Sequence, residues 1–137
     1  MNGDIDQQAL DAARRMAALS PETQAAFERS LTLCGTKREQ VYWAFRAVGR
    51  AIGSKRKPVS DINLKRIFDM ANILLDQKPR FIANCVATCM LDEIRRASLT
   101  GGFDFSGVDP YIGPKARWYL LERDDFHKTT TVGLSRR

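Results

Sequence analysis

The chain has no apolar run approaching the ~20 residues that a membrane-spanning helix needs. Its N-terminus, MNGDIDQQALDAARRM, is acidic and lacks the apolar centre of a signal peptide, so the cytoplasm is the expected compartment. Cysteine is scarce and odd in number, three with no framework spacing, which speaks for a reducing environment and against a disulfide scaffold. There is no Gly-rich phosphate loop of either the nucleotide-triphosphate or the dinucleotide type, because Gly101-Gly102 by itself reads as a helix stop. Internal repeats and low-complexity segments are also missing.

With a single histidine, a tetrahedral zinc site would have to draw on Cys34, Cys85, Cys89 and His127. Cys85 and Cys89 stand one helical turn apart inside an apolar helix, not in the tight knuckle that structural zinc prefers. Buried cysteines acting as small hydrophobes are the expected state, and no metal or other cofactor is predicted. A Cys/His nucleophile is not supported either. Cys34 at a helix C-terminus would have its thiolate disfavoured, and His127 falls in a segment expected to fray. The acids Asp104, Asp109, Glu122, Asp124 and Asp125 alternate with Lys115, Arg117 and Arg123 and read as a solvated face, not an acid–base pair. The expectation is a protein that is not an enzyme.

What the sequence does have is helix punctuation. The chain is 137 residues long with 44% hydrophobic and 28% charged residues, ordinary for one globular domain. Asp4 to Gln7 reads as a capping box ahead of an apolar face of Ile5, Leu10, Ala13, Met16 and Ala17. Ser20-Pro21-Glu22 starts a second helix carrying Ala26, Phe27, Leu31 and Leu33, which is expected to stop at Cys34-Gly35. Thr36-Lys37-Arg38-Glu39 is another capping box, followed by Val41, Phe45, Val48 and Ile52 on one buried face and Gly53 as the stop. Ser60 caps a fourth helix with Leu64, Phe68, Ala71 and Leu75 inward.

Pro79 then opens a fifth helix in which Phe81–Leu91, FIANCVATCML, is apolar or small nearly all round, the mark of a helix covered by neighbours. FDFSGVDPYIGP, after Gly102, has too many turn residues for a helix. Phe103, Phe105 and Tyr111 are expected to pin it as an ordered loop. Pro114 restarts a short helix to about Asp125, with Trp118 and Leu120 or Leu121 inward. The sequence thus predicts an all-α single domain over 1–137: five to six helices around a central apolar helix at about 79–98, an aromatic loop at about 101–114, and a flexible tail at about 129–137.

Charge is the second feature. The net charge is +6, but from Thr36 to Arg66 nine cations face only Glu39 and Asp61, whereas the rest of the chain has thirteen cations against fourteen anions. A basic segment on a near-neutral body points to a surface that meets an anion. Opposite the buried face of the third helix, Trp43, Arg46 and Arg50 form one stripe. The turn Lys55-Arg56-Lys57 continues it, Lys65 and Arg66 border it, and Lys37 and Arg38 lie ~24 Å away by helical rise. Trp and Arg suit both interface anchoring and base stacking with phosphate contact. Trp43 also has an alternative place as a packing residue.

The connection between the third and fourth helices is too long for a DNA-reading helix-turn-helix. Two functions remain. One is a non-catalytic helical protein that binds nucleic acid or a nucleoprotein complex, chiefly through phosphates, with Lys37, Arg38, Trp43, Arg46, Arg50, Lys55, Arg56, Lys57, Lys65 and Arg66. The other is an adaptor or inhibitor, of the kind that phages and mobile elements encode, docking the same basic surface on an acidic protein. Neither reading calls for a membrane or a small-molecule substrate.

Overall fold

A computed structural model of the chain describes residues 2–33 and 35–136. It is an all-helical single domain with no strand among the described residues. The helices are α1 (Asn2–Ala17), α2 (Pro21–Ser30), α3 (Lys37–Ile52), α4 (Asp61–Asp76), α5 (Arg80–Cys85), α6 (Asp92–Leu99) and α7 (Pro114–His127). A π-helical segment, Val86–Leu91, joins α5 to α6, so that Arg80 to Leu99 is one continuous helical rod. No described helix is long and apolar enough to cross a membrane.

Local chemistry accounts for most boundaries. Ser20 accepts from the Thr23 amide at 3.1 Å with Pro21 next to it, so α2 starts where its orphan amides are met. Thr36 and Glu39 form the full reciprocal capping box of α3, Gly53 closes that helix, and Ser60 caps α4. Other ends differ from expectation. Asp4 lies within the first turn of α1, not at its cap, because the helix already begins at Asn2. α2 stops at Ser30, where the amides of Leu31, Thr32 and Leu33 tighten to bonds three residues back. Leu33 is therefore 47% exposed and not part of the core.

The core is shared by all the long helices. Val41, Phe45, Val48 and Ile52 of α3 face inward, as do Leu64, Phe68, Ala71 and Leu75 of α4. The π-helical segment turns Val86, Cys89, Met90 and Leu91 inward against α3, α4 and α7. Gly49 marks a close approach to α3, since a Cβ there would stand 2.7 Å from the Met90 carbonyl oxygen. Nothing in the sequence pattern announces the π turn, which keeps four neighbouring side chains buried on one rod. At the loop, Phe105 is fully buried edge-on to Phe68 and Phe103. Tyr111 does not pin the loop by its ring, which stays exposed. Instead Asn72 donates to the Tyr111 carbonyl at 2.7 Å and accepts from the Gly113 amide at 3.0 Å.

The C-terminal region departs furthest from expectation. The buried stripe of α7 is Ala116, Leu120 and Asp124, which leaves Trp118 outside at 64% exposure. Residues 129–136, expected as a loose tail, pack back onto the bundle. Asp124 accepts from the Thr131 amide and hydroxyl at 2.8 and 2.9 Å and from the Thr129 hydroxyl at 2.8 Å. The Phe105 amide donates to the Val132 carbonyl at 2.8 Å, and Ser135 to Asp109 at the same distance. Polar side chains fasten this segment, which is why no hydrophobic period revealed it. Arg137 lies outside the described residues.

Candidate partner-binding face

α3 is the frame of the face. Its capping box fixes the first turn, and the amide and hydroxyl of Thr36 hold the Glu39 carboxyl below its ordinary value. Gly49 seats the helix on the central rod, and the residues opposite that seam are turned away from the core.

The ten residues of the basic segment do not form one continuous strip. Lys37 donates to Gln7 at 2.6 Å, and Arg38 to Asp6 at 2.9 Å, with its guanidinium over the Phe81 ring at 4.3 Å. The hydrogen bond to Asp6 raises the Arg38 value above normal. These two residues tie α3 to α1. Lys65 pairs with Asp69 at 2.8 Å, which raises its value too, and lies over the Tyr111 ring. Arg66 is exposed on α4.

The middle group does converge. Trp43 is half-buried, with the Arg46 and Arg50 guanidiniums over its ring at 5.3 and 5.7 Å. Arg50 also reaches Glu93 at 3.5 Å while staying largely exposed. Lys55, Arg56 and Lys57 are exposed on the turn that follows. Among the described residues no ion pair engages Lys37, Arg46, Lys55, Arg56, Lys57 or Arg66.

Trp43 walls a groove of about 820 Å³ between α2, α3 and the basic turn. Ala25 and Ala26 of α2, Ala47 and Ala51 of α3, and Leu33 are its small or apolar lining residues. Arg29, Arg50, Arg56 and Lys57 line it against a single acid, Glu22. The α2 side was not read from the sequence. Its signal was available in Glu22, Ala25, Ala26 and Arg29, which recur at helical spacing with one acid and one cation beside two alanines.

The other constellations sort differently. Asp109 and Asp124, expected on a solvated face, are buried. Asp109 holds Arg117 at 2.7 Å, and Asp124 lies 3.5 Å from the buried Arg95. They are internal counter-charges. Asp104 caps the turn at Ser106, whose hydroxyl and amide hold its carboxyl low, and Glu122 and Asp125 are exposed. Cys85 and Cys89 are both buried, and the hydrogen bond between them together with burial pushes the Cys85 thiol well above its ordinary value. Cys34, the third ligand of the zinc alternative, lies outside the described residues. His127 ends α7 inside the helix, not in a frayed segment, and is exposed beside Arg123 at 2.9 Å. No cluster of three or more potential ligands occurs among the described residues.

Comparison of the chain with protein-family models, with curated proteins and with solved structures finds no match.

Proposed function

We propose that the chain is a non-catalytic binding protein that docks its α2–α3 face on an acidic protein, as an adaptor or inhibitor does. The observation that carries this reading is the groove beside Trp43, lined by four alanines, Leu33 and four cations, with Glu22 the one acid among its described lining residues and Glu93 paired with Arg50. A phosphate backbone gains little from an alanine lining, whereas a protein partner can bury apolar side chains against it and set carboxylates against the cations. Trp and Arg are the residue types on which interface energy concentrates. The test is a titration with polyglutamate at low and moderate salt, using the wild type and a variant with Lys55, Arg56 and Lys57 replaced by Gln. Binding should weaken with salt, since exposed charges are screened, and should weaken again in the variant. Equal binding by both proteins would refute the proposal.

A second reading is supported by the turn itself. Lys55, Arg56, Lys57 and Arg66 have no acidic partner among the described residues, and such cations suit the phosphates of nucleic acid or a nucleoprotein complex. A gel shift with random duplex and single-stranded DNA at two salt concentrations separates the two. A salt-sensitive shift stronger than polyglutamate binding would favour nucleic acid.

A further inference from the structure

From the shape and charge of the groove we infer that its occupant is an acidic amphipathic helix of the partner, laid between α2 and α3. The inference rests on the docking reading above and specifies the chemistry of what docks. α2 and α3 are joined by residues 31–36 and pack along each other, so the depression between them is the kind of surface onto which a third helix fits. From Trp43 to Ser54 it extends ~16 Å by helical rise, about three turns of an added helix. Helix axes must come within roughly 8–10 Å to pack, and the alanines that line the groove from both helices permit that approach. Trp43 offers a half-buried indole face for an apolar anchor.

Charge complementarity selects the sequence of the occupant. Arg29 lies on the α2 wall, Arg50 on the α3 wall, and Arg56 and Lys57 where the basic turn meets the groove. A helix with apolar residues at i, i+3, i+4 and i+7 would seat them against the alanines, and Glu or Asp beside that stripe would reach Arg29, Arg56 and Lys57, with Arg50 shared with Glu93. Nucleic acid fits this place less well, because alanines and Leu33 line the groove and the cations Arg38, Arg50 and Lys65 are already paired with Asp6, Glu93 and Asp69.

The experiment uses the full chain with Trp118→Phe, which leaves Trp43 as the reporter tryptophan of the two in the chain. The probes are a synthetic Leu/Glu peptide of about four helical turns with that apolar period, a scrambled peptide of the same composition, and single-stranded DNA. The patterned peptide should shift Trp43 fluorescence and bind about tenfold or more tighter than the scrambled one. Filling the groove with Ala47→Leu and Ala51→Leu should reduce patterned-peptide affinity by a similar factor and polyglutamate affinity by less, while the unfolding midpoint holds. Equal affinity for the two peptides, or insensitivity to the filled groove, would overturn the helix while leaving the docking surface intact. Displacement of the patterned peptide by single-stranded DNA at lower concentration would overturn it in favour of nucleic acid. Failure to bind either peptide or polyglutamate would remove the docking reading itself.

Discussion

Arg95 and Arg117, in the C-terminal half, each end on a buried aspartate, whereas Arg46, Arg56 and Lys57, around the α2–α3 groove, meet no acid among the described residues. The residue types are the same, but the surroundings differ. At the C-terminal clasp, Asp124 joins Arg95, Thr129 and Thr131, so the charges bind the last segment to the bundle. At the α2–α3 face, the cations line the groove beside alanines, with Glu22 the one acid among its described lining residues and Glu93 reached by Arg50 alone of these cations. A buried charge must be met internally, because desolvation makes an unmet one costly. An exposed charge need not be, and it remains available to another molecule. The clasp should therefore govern stability and the face should govern binding.

The sharpest break is at the clasp. Asp124→Ala leaves the buried Thr131 amide and hydroxyl without their acceptor and Arg95 with Asp92 as its remaining carboxylate, and should cost about 3–5 kcal/mol in denaturant unfolding, because each buried donor left unmet costs about 1–3 kcal/mol. A loss comparable to that of an exposed carboxylate would show that the clasp is not structural. Next is the seam behind the face. A Cβ at Gly49 meets the Met90 carbonyl oxygen, so Gly49→Ala should cost about 1–3 kcal/mol as an overpacking change. Unchanged stability would mean that the α3 seam is loose.

Trp43→Ala probes both sides of the comparison at once. A half-buried indole should cost about 1–2 kcal/mol, short of the ~3–5 typical of a fully buried tryptophan, while polyanion binding falls. A full core-sized loss with binding intact would place Trp43 with the clasp and not the face. The capping box gives a pH signature. Since Glu39 is held below its ordinary 4.5, its charge contributes stability above that pH and the contribution is lost as pH falls through the lower folded value. The stability gap between wild type and Glu39→Gln should be present at neutral pH and close in acid. A gap that persists unchanged in acid would show that the carboxylate charge plays no part.

The helices and most of the core were legible because apolar period and capping residues report local backbone chemistry. Thr36, Glu39, Ser60 and Gly53 stand where their side chains, or lack of one, require. The errors fall where polar side chains perform structural work. Asp124 occupies a position on the buried stripe of α7 that a hydrophobic count cannot see, and this displaced Trp118 from its expected inward place. The same blindness made residues 129–136 look loose. Around the candidate site, the cations and Trp43 were legible, but the wall supplied by α2 was not. Charge counting along the chain does not reveal that Ala25, Arg29 and Leu33 are brought beside Trp43. Nor does it reveal that Arg38 and Lys65 are held by carboxylates.

The most direct test of the division between fold and face is a paired measurement on the variant with Lys55, Arg56 and Lys57 changed to Gln. Its unfolding free energy should stay within ~0.5 kcal/mol of wild type, as expected for exposed positions with no ion pair among the described residues. Its affinity for polyglutamate should fall and depend less steeply on salt. Wild-type affinity and salt dependence in that variant would contradict the account and leave the basic turn as a solvated loop.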